Sequence, residues 1–319
     1  MNYRPNKCIA RSIETVPYDS VVCVKQVPDT ANVTAEAMKE DGTVNRAALP
    51  TIFNPEDLYA LETALEKKDR HGGTVTAISM GPPKAADVLR DCLFRGADRA
   101  ILITDRRAAA SDTLATSYIL SQAVRTVGRF DFVFCGRQAI DGDTAQVGPQ
   151  CAEKLGIPQI TYLEQLIYLN DNVVRIRRNI GHGWEIVEAK LPVLVTVLGT
   201  ANQPRPPSAK RAMHMKKARV IAELLNEVKA QMPETSDDQI QAEVLRRAES
   251  LKQLGLLIEQ WNLDDIHADL TRCGMSGSPT KVHRIQAIVL KKEGYTEIPP
   301  TEAGVRQLIH ELVVDRTLG

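Results

Sequence analysis

The chain is constrained most by an alternation that runs from residue 19 to residue 155. Short β-branched apolar runs are each followed by a stretch with helical apolar spacing. The runs are SVVCVKQV (Ser20–Val27), TVTAISM (Thr74–Met80), RAILIT (Arg99–Thr104) and FDFVFC (Phe130–Cys135). Asn54-Pro55 reads as an N-cap followed by proline at the first helical position, with Glu56 and Asp57 in the first turn. Leu58, Leu61 and Leu65 then carry an apolar stripe toward His71-Gly72-Gly73. Ala85–Arg95 reads as a helix stopped at Gly96, Asp112–Val127 as one capped by Asp112, and Gln146–Leu155 as a fourth. Strands alternating with helices of this length require crossover connections. The expected fold class is therefore α/β: a Rossmann-like, mostly parallel sheet with helices on both faces. In such sheets ligands lie beyond the carboxyl ends of the strands. The unusual residues gather there, at Asp29-Thr30, at Met80-Gly81-Pro82-Pro83 and from Gly136 onward.

Beyond Gly156 the pattern changes. VVRIRR (Val173–Arg178), WEIVEAK (Trp184–Lys190) and VLVTVLG (Val193–Gly199) are close-set and read as hairpin strands. Arg205–Arg219 carries six Lys/Arg and no acid. Residues 221–257 turn helical, broken at Pro233, restarted by a Thr235/Ser236 cap and ended at Gly255. A Gly/Ser/Pro turn (Gly274–Pro279), a strand (His283–Leu290) and a helix from Thr301 complete the chain. The expected organisation is an N-terminal extension (1–19), a nucleotide-binding α/β domain (20–218), a helical insertion (219–257), and a C-terminal strand and helix (258–319) that complete the domain.

At 319 residues, folding buries roughly 75% of the unfolded chain's surface, enough for a core without disulfides or metals. Forty Lys/Arg balance forty Asp/Glu, which disfavours bulk attraction to a polyanion. The basic run lacks interleaved aromatics, so it reads as a solvated face or docking arm and not as a nucleic-acid groove. No window approaches the ~18 apolar residues of a membrane span, and the first nineteen residues lack the apolar stretch of a signal peptide. The six cysteines are dispersed without a CxxC, a pattern expected of buried small hydrophobes in a reducing, cytoplasmic setting.

Neither GxGxxG nor a Walker motif is present, and no HExxH or Cys/His ligand cluster appears. The six histidines are scattered without partners, so no catalytic residue is expected. The informative stretch is CGRQAIDGDTAQVGP (Cys135–Pro149). Asp141-Gly142 supplies a turn, Asp143 or Thr144 offers a helix cap, and the helix N–H groups beyond could hold a pyrophosphate. The same pattern also serves as a plain strand–turn–helix connection. MGPP (Met80–Pro83) and SDTLATS (Ser111–Ser117) are weaker candidates, each open to an ordinary reading as a connecting turn or an N-cap. Their gathering at one sheet edge favours a nucleotide site.

VCVKQVPDT (Val22–Thr30), NPEDLYALETAL (Asn54–Leu65), AISMGPPKAADVLRDCLFRGAD (Ala77–Asp98) and CGRQAIDGDTAQVGP together resemble the beta subunit of electron-transferring flavoproteins. LPVLVTV and NQPRPPSAKRAMHMKKA (within Leu191–Ala218) and SGSPTKV (Ser276–Val282) extend the resemblance. It implies a heterodimer with an FAD-holding alpha subunit. It also implies adenine-nucleotide contacts at Cys23, Asn54, Asp57, Ala77, Met80, Gly81, Gly136, Arg137, Gln138, Ala139, Asp141, Gly142, Asp143, Thr144, Ala145, Gln146 and Val147. VKQVPDT, GDTAQVGP and DTLATS look like the flavin-bifurcating branch, in which the site holds FAD and takes hydride from NADH; the other branch holds AMP. On that likeness Asp112, Thr113, Leu114 and Thr116 border the isoalloxazine. The family's recognition loop for acyl-CoA dehydrogenases falls on Val197–Pro206, with Val197, Ala201 and Arg205 as contact residues. Ala201 stands where the family places a leucine. The additions at 1–19 and 224–255 are expected to serve a dedicated dehydrogenase or another subunit. A stand-alone adenine-nucleotide sensor with the same sheet is the contrasting reading, and nucleic-acid binding through Arg205–Lys217 is a more distant one.

Overall fold

A computed structural model of the chain describes residues 17–29, 49–280 and 297–314. The apolar run from Ser20 is divided. β1 (Ser20–Cys23) enters the main sheet, while β2 (Gln26–Pro28) pairs antiparallel with β3 (Thr51–Phe53) in a separate ribbon. The division falls at Lys25, whose backbone N–H is taken by the Asp57 carboxylate (2.8 Å) instead of a neighbouring strand. α1 (Pro55–His71), β4 (Val75–Met80), α2 (Ala86–Arg95), β5 (Arg99–Ile103), α3 (Thr113–Val127), β6 (Phe132–Gly136) and α4 (Val147–Leu155) follow the expected alternation.

The next elements are β7 (Gln159–Asn170), β8 (Val173–Asn179), β9 (Trp184–Lys190) and β10 (Val193–Val197). After α5 (Ala209–Met215), α6 (Ile221–Gln231) and α7 (Asp237–Gln253), β11 (Glu259–Trp261) closes the sheet, whose order is β11-β5-β4-β1-β6-β10-β7-β8-β9. From β11 to β7 the pairs are parallel; β7–β8 and β8–β9 are antiparallel. The chain thus proceeds from β1 to β4 and β5 on one side, then returns to place β6 and β10 on the other. The switch point lies between β1 and β6.

Alternation along the strands sorts side chains into two cores. Val22, Ala77, Phe132, Phe134 and Val195 face α1 and α2. Val21, Cys23, Ile78, Val133, Cys135 and Leu194 face α3 and α4. The Phe132 and Phe134 rings stack at 5.2 Å within the first core.

The sequence reading is corrected at three places. VLVTVLG is no hairpin strand: β10 is buried along its whole length and lies between β6 and β7 in the parallel sheet. An unbroken apolar run of this kind suits a central strand. β7 goes unread because two register shifts break its alternation and only Ile160, Leu163 and Leu169 are buried. Asn54 stands at the N-cap of α1 but makes no capping bond through its side chain. The expected strand His283–Leu290 lies outside the described residues, as does most of the 1–19 extension.

α6 and α7 form a helical hairpin with a small core of their own, Leu224, Val228, Ile240, Val244 and Ala248. Ser236 occupies the N-cap position of α7 without a side-chain cap. Arg90 of α2 ties this hairpin to the sheet, reaching both Glu223 oxygens (2.9 and 2.7 Å) and the Ala218 carbonyl (3.1 Å). α8 (Glu302–Val314) shows exposed Val305, Leu308, Ile309, Val313 and Val314.

Removing the Arg90 guanidinium leaves Glu223 half-buried without its partner, a loss of about 1–3 kcal/mol. Arg90→Met is expected to speed amide exchange across 221–253 while leaving β1, β4 and β6 protected. Equal acceleration everywhere would show that the hairpin is no separate unit.

Candidate functional site

At the carboxyl ends of β1, β4 and β6 a cleft of about 370 Å³ opens on the α3/α4 face of the sheet. Its floor is Cys23 and Cys135, register partners on β1 and β6. Contact with Cys23 and burial push the Cys135 thiol well above its ordinary pKa, so Cys135 is an inert floor residue. One wall is the start of α3 (Ser111, Asp112, Thr113, Thr116, Leu120), and the other is the loop from Gly136 into α4.

α1 sets the geometry from behind. Asp57, in its first turn, accepts the Lys25 N–H of the β1 end at Oδ2 (2.8 Å) and the Gly136 N–H of the β6 end at Oδ1 (3.2 Å). One carboxylate therefore fixes the spacing of two strands at the switch point. Burial raises its pKa from 3.8 to about 7, although hydrogen bonds involving Asn54, Lys25 and Gly136 pull it down. Gly136 must lack a side chain, since a Cβ there would stand 2.5 Å from Asp57 Oδ1 and 2.6 Å from the Glu56 carbonyl carbon. Asn54, fully buried, donates to the Gln138 carbonyl (2.9 Å) and accepts the Ile140 N–H (3.2 Å). It shapes the loop and does not line the cleft.

Further contacts hold the loop open. Lys25 Nζ pairs with Asp141 (2.7 Å), and Gln138 Nε2 donates to Asp143 (2.8 Å). Asp143 (φ 49°) and Ala145 (φ 52°) are left-handed, as is Ala110 (φ 58°) on the opposite lip. Strain at non-glycine residues of this kind concentrates at functional sites. Neither Asp143 nor Thr144 caps α4. The N-cap is Gln146, with no side-chain cap, and its Oε1 accepts the Thr113 hydroxyl (3.0 Å) across the cleft. The N–H groups of Val147 and Gly148 lie in the first turn of α4, where an anion would be favoured.

The α3 lip is held from the far end of the chain. Asp112 caps α3 through the Ala115 N–H (3.0 Å) as expected, and its other oxygen accepts the Thr280 N–H (3.0 Å). The buried Ser278 hydroxyl accepts the Asp112 N–H (2.8 Å) and donates to the Gly274 carbonyl (2.7 Å).

Of the sequence-derived site residues, Cys23, Asp57, Met80, Asp112, Thr113, Thr116, Gly136, Arg137, Gln138, Ala139, Gly142, Asp143, Thr144, Ala145, Gln146 and Val147 all line this cleft. Ala77 does not: it is fully buried and packs in the α1/α2 core, on the opposite face of the sheet. Gly81 donates to the Ile103 carbonyl (3.0 Å), and Asp141 reaches the site through Lys25. Leu114 lines a neighbouring cavity of about 330 Å³ with Tyr118, Arg272 and Ser276–Pro279. Val24, Lys25, Ser111, Leu120, Cys135 and Gly148 line the cleft without having been singled out. Each of them lies within a motif quoted above, except Leu120, which sits one helical turn beyond Thr116.

The segment after β10 is a strap over α1. Val197 is fully buried, and Ala201 packs half-buried against the first core. Arg205 is locked to Glu62 (3.0 Å) and Asp69 (2.8 Å) of α1. The exposed positions of the strap are Gly199, Thr200, Gln203, Pro206 and Pro207. Among the described residues no helix is long and apolar enough to cross a membrane, and no His/Cys/Asp/Glu group is placed to hold a metal.

Residues 41–223 match the family model of the electron transfer flavoprotein domain. The chain is 39% identical to the electron transfer flavoprotein subunit beta of Clostridium acetobutylicum, over 92% of this chain and 96% of that one. It is 37% identical to protein FixA of Sinorhizobium fredii, covering 92% and 91% of the two chains. It is 49% identical to the acryloyl-CoA reductase electron transfer subunit gamma of Anaerotignum propionicum, over 56% of this chain and 66% of that one.

Two outcomes follow from the Asp57 clamp. Because its folded pKa (about 7) lies above its ordinary 3.8, the folded state holds the extra proton between those values. Stability drawn from this group therefore falls as pH rises from about 4 to about 7. Asp57→Asn should flatten that part of the pH–stability profile. It should also lower stability by about 1–3 kcal/mol, because an amide has one acceptor for two N–H groups. An unchanged profile would contradict the clamp. Gly136→Ala is expected to cost about 1–3 kcal/mol or more by overpacking, read as a lower denaturation midpoint.

Proposed function

The chain belongs to the electron transfer flavoprotein family as a member of the beta-subunit type, and from that premise we propose that its cleft holds an FAD at which electrons from NADH are bifurcated. The observation that carries this reading is the second wall of the cleft. Ser111, Asp112, Thr113 and Thr116 line the cleft opposite the loop 142–147, the Thr113 hydroxyl reaches across it to Gln146 (3.0 Å), and the long-range contacts of Ser278 and Thr280 fix that wall.

The residues present fit such a group. The open N–H groups of Val147 and Gly148 suit a pyrophosphate. The backbone-rich loop 136–146 suits an adenosine, and the buried thiol floor excludes water beneath it. When bound, an FAD supplies hydride acceptance and one-electron transfer. The protein's own part is positioning and electrostatics. The acids lining the cleft are all engaged, Asp57 with two backbone amides, Asp112 with two more and Asp143 with Gln138.

The alternative is AMP in a structural beta subunit, and one observation favours it. About 370 Å³ is at the small end of ligand sites, which run roughly 300–1,000 Å³. An FAD would have to extend past the enclosed space, along the α3 lip.

The partner of this reading is an electron-transferring flavoprotein alpha subunit. The exposed apolar residues of α8 support its docking there. A dehydrogenase of the acyl-CoA type would meet the strap through Gln203, Pro206 and Pro207. The buried Val197, the half-buried Ala201 and the tied Arg205 leave little side chain to offer at the expected positions. The five described cysteines are free and buried, in keeping with a cytoplasmic protein.

The test is the nucleotide content of the chain co-purified with its alpha subunit, by extraction and chromatography. Two FAD per heterodimer, no AMP, and bleaching by NADH are expected. One FAD with one AMP would sink the bifurcating reading and leave a conventional carrier.

A further inference from the structure

On the α1/α2 face of the sheet, away from the nucleotide cleft, a second cavity of about 450 Å³ opens between the later turns of α1, β7–β8 and the strap that follows β10. Three basic side chains line it, Lys67, Arg70 and Arg177, against two carboxylates, Glu66 and Glu164, and burial lowers the Lys67 pKa to about 8. Glu66 lies 3.9 Å from Arg70, and Glu164 is taken up by Asn179 (2.8 Å) and by Arg177 (3.5 Å).

Lys67 is 3% exposed, yet its ammonium donates to a neutral group, the Tyr18 carbonyl, and otherwise stands over the Phe132 ring. Asp131 and Asp19 act on it only as charges at a distance. An ammonium carries three N–H groups, so donors remain for a ligand. Burial, Lys67 and Arg70 all lower the pKa of His71, which shows the positive field at this corner.

Two buried polar atoms in the same cavity wall have no hydrogen-bond partner, Arg177 Nε and Asn202 Oδ1. The orientation of Asn202 is fixed, because its Nδ2 donates to the Tyr59 carbonyl (3.0 Å) and to Thr63 Oγ1 (2.9 Å). Its oxygen is therefore an acceptor in want of a donor, while Arg177 Nε meets Glu164 Oε2 only as an ion pair at 3.5 Å, outside hydrogen-bond geometry. Orphaned buried atoms of this kind call for an explanation.

We propose that this cavity binds a small oxyanion that also carries an O–H group, hydrogen phosphate being the type. Lys67 and Arg177 donate to its anionic oxygens, and Asn202 Oδ1 accepts its proton. Such an ion joins α1, β8 and the strap, and so fixes the strap segment that the proposed dehydrogenase contact uses. The site stands independently of whether the nucleotide cleft holds FAD or AMP.

The test is thermal and calorimetric titration of the full chain with inorganic phosphate, at constant ionic strength set by chloride, beside sulfate as a tetrahedral anion without an O–H at neutral pH. Phosphate is expected to stabilise the chain saturably and more than sulfate does. Lys67→Met and Arg177→Met should each weaken it about tenfold, a loss of about 1.4 kcal/mol. Asn202→Ala should keep anion binding but erase the preference for phosphate. In the wild-type chain, the His71 pKa followed by NMR should rise on phosphate addition. Equal, unsaturable effects of both anions that persist in the variants would overturn the proposal. So would saturable phosphate binding that leaves His71 unmoved.

Discussion

The two backbone amides that Asp57 holds belong to neighbouring strands whose chains leave the sheet on opposite sides of the switch point. Cys23 ends β1 just before the Lys25 amide, and Gly136 ends β6 with its own. Without an acceptor between them, both N–H groups would be unpaired, the Gly136 one in a buried setting, and nothing would fix the gap between the strand ends. A carboxylate is suited to this because it has two oxygens and no donor. Its placement in the first turn of α1 adds the favourable end of the helix dipole. The cost is a charge in a dry setting, visible in a pKa near neutrality. Asn54, three residues earlier, extends the same device to the loop 138–140. The short stretch from Asn54 to Asp57 thus positions β1, β6 and one wall of the cleft at once.

The opposite wall depends on residues distant in sequence. Ser278 and Thr280 reach the start of α3 from some 166 and 168 positions away, and Arg107 meets Asp264 (2.6 Å) nearby. The α3 lip is therefore held by the segment that follows the α6–α7 hairpin. That hairpin has its own core; it joins the rest of the molecule through Arg90 of α2, through Ala222 and Leu251 packed on the first core, and through the edge strand β11 that follows it. The hairpin lengthens the chain between the two walls without disturbing either, because it leaves and returns at the sheet edge.

Much of this is legible in the amino-acid sequence. Alternating apolar runs of four to eight residues, separated by helical periods, leave few folds besides a parallel sheet, and turn chemistry at the strand ends marked the cleft. What escaped did so for local physical reasons. β7 is twice interrupted in register and half-exposed, so no clean period of two survives. β10 is buried on both faces, and an apolar run carries no sign of which neighbours it has. Asn54 and Asp57 looked like an ordinary helix start. That their side chains serve strand ends and a loop depends on packing across 32 to 86 positions. Ala77 shares a strand with the site but faces away from it, a distinction of one residue in register.

The central claim is that a nucleotide lies between the α3 lip and the loop 136–147, with its phosphates at the N-terminus of α4. A crystal structure of the chain, purified with its partner and without added nucleotide, tests this directly. The account predicts density for a nucleotide whose phosphate oxygens lie within hydrogen-bond distance of the Val147 and Gly148 amides. Density for the nucleotide elsewhere, with these amides facing only water, would contradict it.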